Sequence, residues 1–270
     1  MTDSPHRAPA DLLQADLPPA DGPHGIACVA LRVRDMDPML AFYRDGLGLR
    51  VMGGTGATRR LGDGETVLLE LRHDPSARAR QPQGAGLFHT AFLLPDRAAL
   101  GAWLRHAADR GLRLTGASDH GVSEALYLDD PEGNGVEIYR DRPVAEWPRD
   151  AGGLVMYSRR LDHGALAAAA QGAFAHAPRG TRIGHVHLQV GDVARAEGFL
   201  TDHLGLERQF ATSGAAWLGW QGYHHHVAVN AWHSADAGPR AAATAGLDEV
   251  MVHGLAARAT DPWCTAFSPA

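Results

Sequence analysis

The chain has 270 residues, 45% of them apolar, and a formal charge of −6. Its 25 cations are all arginine, which excludes Schiff-base, P-loop and general-base lysines, and the mild acidity argues against a nucleic-acid partner. No uninterrupted apolar run long enough for a membrane span occurs, and the acidic, proline-rich start lacks a signal-peptide core, so a cytoplasmic protein is expected. Two cysteines, Cys28 and Cys264, do not make a disulfide scaffold, whereas sixteen histidines are a surplus of the commonest metal ligand.

In chain order, residues 1–24 read as a flexible arm rich in Pro, Ala and Asp. Ile26, Val29, Leu31 and Val33 predict a strand. Asp35 and Asp37-Pro38 signal a helix carrying Met39, Leu40, Phe42, Tyr43 and Leu47 on its apolar face. Strands are expected at Leu49–Met52 and Thr66–Leu71, separated by a glycine-rich turn. LFHTAFLL after Gly86 is a further strand, and Asp96 caps a helix with Leu100, Trp103, Leu104 and Ala107 at helical spacing. Strands are then expected at Leu112–Leu114, Ala125–Leu128 and Val136–Tyr139, the last two joined by the turn DPEGNG.

The text repeats. IACVALRVRDMDPMLAFYRDGLGL at 26–49 aligns without gaps to IGHVHLQVGDVARAEGFLTDHLGL at 183–206, with ten of 24 positions identical at a constant offset of 157. Such self-similarity implies duplicated supersecondary units that bury their apolar faces on one another. Units of strand–helix–strand–strand–strand begin near 26, 87 and 183, and a fourth begins at GLDEVMV (246–252) with too little chain left to complete it. The expected organisation is an arm at 1–24, a first domain of two units at 25–143, a linker with a short alanine-rich helix at 144–182, and a second domain at 183–270.

Repeated βαβββ units with HVHLQVGD, DPEGNGVEIY and GYHHHVAVNAW resemble the vicinal-oxygen-chelate superfamily, which holds glyoxalase I, bleomycin-resistance proteins and type I extradiol dioxygenases. The likeness is strongest to the bacterial catechol 2,3-dioxygenase-like proteins and spans 25–255. It implies an α+β fold in which paired βαβββ modules curl into half-barrel sheets, the fourth module being truncated. It also implies Fe(II), or alternatively Mn(II), held by two histidines and one glutamate. Three ligands on one face leave adjacent positions free for a catechol-type diol and O2. The partners it implies are therefore a small aromatic diol and O2, with a homo-oligomer expected.

Carried over residue by residue, His89 matches the histidine of the second unit and Glu137 the glutamate, with Tyr127 contacting the substrate oxygen and His120 on the loop before it. In the first unit the aligned ligand position is Cys28, which leaves that role unfilled. The third unit offers His185 in the ligand position and His225 in that of the acid–base histidine. The resemblance therefore implies a metal held by His89, His185 and Glu137, with His225, His120 and Tyr127 about the substrate and units two and three packed together, within one chain or between two. Glu70 is expected as a strand-surface carboxylate. A metal-dependent lyase or isomerase of the glyoxalase kind would need a further carboxylate, near whose place Asn230 stands. A non-enzymatic drug-binding protein of the same fold would need neither His225 nor Tyr127.

Overall fold

A computed structural model describes residues 24–270; all of the N-terminal arm except His24 lies outside the described residues. The first unit comprises β1 (Gly25–Val33), α1 (Met36–Ala41), β2 (Arg50–Val51), β3 (Thr58–Gly62) and β4 (Val67–His73). The second comprises β5 (Gly86–Leu93), α2 (Arg97–Asp109), β6 (Gly116–Asp119), β7 (Ser123–Asp129) and β8 (Gly135–Asp141). A connecting segment carries the hairpin β9 (Arg149–Asp150) and β10 (Gly153–Leu154), then α3 (His163–Ala168). The third unit is β11 (Arg182–Gln189), α4 (Val193–Leu204), β12 (Glu207–Thr212), β13 (Ala215–Gly219) and β14 (Val227–Asn230). The fourth has β15 (Gly246–His253), β16 (Ala259–Thr260) and β17 (Ala266–Pro269), with no helix between its strands.

Local chemistry explains the boundaries. The Asp96 and Asp192 side chains accept from backbone N–H groups of the first turns of α2 and α4, satisfying donors a helix start leaves free. Gly205 then ends α4 in the left-handed region. Two expectations are corrected. The helix after Asp35 runs only to Ala41 before widening into a π turn at Phe42–Gly46, and Leu112–Leu114 is irregular, the strand forming at Gly116–Asp119 instead. A three-residue strand signal is weak, and Leu112 is still held to the end of α2 by its bond to the Ala107 carbonyl, so the ladder to β7 begins only at Thr115.

The strands form two large sheets. A seven-stranded sheet runs β16-β17-β15-β1-β4-β3-β2 and an eight-stranded one β12-β13-β14-β11-β5-β8-β7-β6. Each is two units joined along an antiparallel pair of their first strands, β1 with β15 and β5 with β11. Unit one thus pairs with unit four, and unit two with unit three of the same chain, each sheet crossing the connecting segment.

Strand period two decides which side chains meet the core. Phe92, Val136, Ile138, Val186 and Leu188 enter the main hydrophobic cluster, which is shared with Val29, Leu31, Val250 and Phe267 of the other sheet. The alternate positions (His89, Glu137, His185 and His187) are sent to the opposite face of the eight-stranded sheet. Every polar candidate therefore depends on its apolar neighbours: burying Val186 and Leu188 presents the two histidines beside them. Among the described residues, no helix is long and apolar enough to cross a membrane.

Candidate metal centre and substrate cavity

Three side chains from three strands converge. His89 on β5 and His185 on β11 bring their Nε2 atoms to 3.2 Å of each other. Glu137 on β8 places Oε2 3.0 Å from His89 Nε2 and 3.1 Å from His185 Nε2. All three are buried, at 6%, 2% and 2% exposure. The three donor atoms are close enough to share one cation, and the donor set of two imidazoles and a carboxylate suits a divalent first-row metal. Among the described residues this is the group of His, Cys, Asp or Glu side chains placed to hold such an ion.

The electrostatics favour ligation. Burial pushes the Glu137 carboxyl up, but His185 and His89 outweigh it and hold the group well below the usual carboxylate range. Burial pushes His185 down to about 4, against the pull of Glu137, so its imidazole is neutral at pH 7. An ionised carboxylate and a neutral imidazole are the forms a cation needs.

The triangle opens into a cavity of about 720 Å³ lined by His120, Tyr127 and His225 as well as by apolar side chains. The His225 ring lies 4.1 Å from that of His185, and burial among neighbouring histidines holds it well below its ordinary value. His120 donates from Nδ1 to the Tyr157 carbonyl at 2.8 Å, which leaves Nε2 to accept from the Tyr127 hydroxyl, also at 2.8 Å. Burial and the Glu137 charge push the Tyr127 phenol well above its usual value, so it stays protonated. The Tyr127 hydroxyl thus stands between His120 and the Glu137 carboxylate, at the edge of the metal-ligand triangle. All six residues singled out from the sequence are thus gathered at one place.

Other features of the cavity escaped sequence reasoning. Phe88, Phe210, Trp217 and Trp232 form an aromatic wall, and His187 packs at its base with a ring distance of 4.9 Å to His89. Met156, Tyr157 and Ser158 of the connecting segment also line it, and an isolated bridge between Asp119 and Arg159 ties that segment down. The apolar run LVMY inside the segment was the available signal.

Two carboxylate expectations are corrected. Glu70 is not a surface group: it is 8% exposed and bound by Arg60 and Arg72. Its position opposite Ala30 across β1 and β4 mirrors that of Glu137 opposite Ala91 across β5 and β8. In unit three the matching place, opposite His187, is held by Ala228 and not by Asn230. The Asn230 amide instead reaches His187 Nε2 at 2.9 Å. A fourth, carboxylate ligand from unit three is therefore missing.

Comparison with known proteins follows the same lines. A model of the Glyoxalase/Bleomycin resistance protein/Dioxygenase superfamily matches residues 25–138. The chain is 40% identical over 233 residues to the catechol-2,3-dioxygenase of Bacillus subtilis (strain 168), covering 84% of this chain and 81% of that protein. It is 32% identical over 119 residues to the biphenyl-2,3-diol 1,2-dioxygenase 3 of Rhodococcus globerulus, covering 43% of this chain and 63% of that one. In fold it is similar to glyoxalase I from Zea mays, with a TM-score of 0.55 at 14% identity over 91% of this chain and 92% of the other. The protein is thus a catechol-2,3-dioxygenase-like member of the glyoxalase/bleomycin resistance protein/dioxygenase superfamily.

Proposed function

We propose that the protein is an extradiol dioxygenase that adds both atoms of O2 to a catechol-type diol, cleaving the ring beside its two hydroxyls to a semialdehyde-type product. The observation that carries this reading is the triangle of His89, His185 and Glu137 opening onto a cavity that holds three further proton-handling groups, His120, Tyr127 and His225. His89 and His185, through Nε2, and Glu137, through Oε2, would hold Fe(II), with Mn(II) the alternative. When bound, that ion supplies a Lewis-acid anchor for the diol and a path for electrons from ring to O2.

The chain's own residues do the rest. His225 is neutral and faces the cavity beside His185, so it accepts one diol proton as the substrate binds and returns it as the ring opens. Tyr127 offers its oxygen to the second hydroxyl while its own proton is held by His120. Phe88, Phe210 and Trp217 pack against the aromatic ring and exclude water, which strengthens each charged contact inside. The place of Ala228 opposite His187 argues against a four-ligand lyase or isomerase of the glyoxalase kind, and the acid–base groups argue against a passive drug-binding protein.

Anaerobic loading with Fe(II), then addition of catechols in air-saturated buffer, tests the reading. One O2 consumed per catechol, with a yellow ring-opened product, is expected. Absence of oxygen uptake across a panel of mono- and bicyclic catechols contradicts it.

A further inference from the structure

Beside the proposed centre lies a chain of buried polar groups that the mechanism above does not use. Asp141 ends β8, four residues beyond Glu137 and on the same face by strand alternation. Its Oδ1 is 2.8 Å from His224 Nε2, and its Oδ2 accepts from the Tyr223 hydroxyl at 2.8 Å. The Tyr139 hydroxyl in turn stands 2.9 Å from that of Tyr223. His224 Nδ1 is 2.8 Å from His225 Nδ1. The middle of the chain is buried: His224 is 0% exposed, and the Asp141 side chain 5%. Gly184 is part of its construction, since a Cβ there would fall 1.8 Å from the Tyr139 hydroxyl oxygen.

The proton positions follow by elimination. A carboxylate only accepts, so the proton between Asp141 and His224 sits on His224 Nε2. With Nε2 as the one protonated nitrogen of His224, its Nδ1 can only accept. In that arrangement the proton between the two imidazoles comes from His225 Nδ1. That leaves His225 Nε2 as the unprotonated nitrogen. Nε2 has no hydrogen-bond partner among the described residues, and it is not among the buried polar atoms left without one, so it is open to the cavity.

We infer that Asp141 and His224 are positioning residues: through two hydrogen bonds they fix the tautomer of His225, so that its Nε2 presents a lone pair to the incoming diol. The inference rests on the extradiol reading for its use in catalysis, but not for the tautomer itself. Without this restraint a neutral imidazole populates both tautomers, and one of them points an N–H at a hydroxyl that must lose a proton. The logic is that of a carboxylate–histidine pair that orients a catalytic base without itself titrating. Here a second imidazole is interposed.

The test uses the full chain. Asp141→Asn reverses the restraint, because its amide N–H donates to His224 Nε2 and drives the His224 proton to Nδ1, which then faces His225 as a donor. The Fe(II)-loaded variant is expected to lose about 10²-fold in kcat with KM and iron content close to wild type, the size of a mispositioned general base. His224→Asn keeps an acceptor near the Nδ1 position and is expected to retain most of the kcat that His224→Leu loses. Nitrogen-15 spectra of metal-free, histidine-labelled protein give a readout apart from turnover: His225 should show a protonated Nδ1 and a bare Nε2, reversed in Asp141→Asn. Wild-type kcat in folded Asp141→Asn, or a protonated Nε2 in the parent, overturns the inference. A parent that takes up no O2 sinks the extradiol reading, while the nitrogen spectra still judge the tautomer.

Discussion

The two sheets are built from the same unit, and they have been given opposite interiors. In the eight-stranded sheet the paired first strands carry His89 and His185, and Glu137 joins them with no arginine bonded to it among the described residues. In the seven-stranded sheet the offset of the repeat puts Cys28 in the place of His185. The ladder register puts Glu249, opposite Ala30, in the place of His89, which stands opposite His187. There the carboxylates are tied up by guanidinium groups. Arg72 bonds Glu70, Asp248 and Glu249 together, while Arg60, Arg32 and Arg258 complete the lattice. Cys28 is buried beside them and its thiol pushed up to about 12, by burial first and by the Glu70 charge second, so it is no thiolate ligand. One ancestral pair of strands can thus end as a ligand cluster or as a neutralised ion-pair lattice, and the choice turns on whether arginine occupies the ladder next to the acids.

The sharpest way to break this comparison is to remove one ligand position from each sheet. His185→Ala is expected to lower oxygen uptake on catechol by at least about 10³-fold, since three-ligand ions tolerate loss of a ligand poorly. Cys28→Ala should leave it within about twofold, as a buried thiol exchanged for a slightly smaller side chain. Comparable losses from both would mean the sheets are not so divided.

Next in size is the lattice itself. Arg72→Met leaves three acids short of their shared partner and should destabilise the fold by about 2 kcal/mol in urea unfolding, with metal content unchanged. The pH dependence follows from the same groups. For Glu70 and for Asp248, burial raises the carboxyl, but bonds to arginine outweigh it and the folded pKa is depressed. Stability from these contacts is then full above the unfolded carboxylate range near pH 4 and is lost as pH falls through the lower folded values. Thermal melts below about pH 4 should show that slope, and Arg72→Met should flatten it.

The smallest effect separates two copies of one turn. Asp130 accepts from the N–H groups of Glu132 and Asn134, and Asp261 likewise from those of Trp263 and Thr265, so DPWCT repeats the geometry of DPEGN. The fourth residue has φ +80° at Gly133 but φ +69° at Cys264, where a side chain is strained. Cys264→Gly is expected to raise stability by about 0.5–1 kcal/mol, and Gly133→Ala to lower it by at least as much.

Much of this was legible in the residues because strands bury alternate side chains and repeats preserve register. Once the resemblance supplied the ligand pattern, the offset that aligns Cys28 with His185 directed attention past unit one, and the match of DPEGNGVEIY carried the glutamate to Glu137. What could not be read depended on contacts far apart in sequence. Asp141 and His224 are 83 residues apart and meet only once β8 and the loop before β14 close on each other. The unit-four turn was hidden because cysteine replaces the glycine that marks it. Asn230 was misjudged because the residue opposite His187 is set by the pairing of β11 with β14, which puts Ala228 there and cannot be counted from either strand alone. The segment 144–182 read as a linker by composition, yet Trp147 is buried against Tyr223 and His224 and the chain beyond it roofs the cavity.

The central claim is that two imidazoles and one carboxylate of the eight-stranded sheet bind a single divalent ion. Titrating the metal-free protein with Mn(II), followed by the free-ion electron paramagnetic resonance signal, tests it most directly. One tight site per chain is predicted for the wild type and for Cys28→Ala, and none for Glu137→Ala. A site that survives Glu137→Ala with unchanged affinity would contradict it.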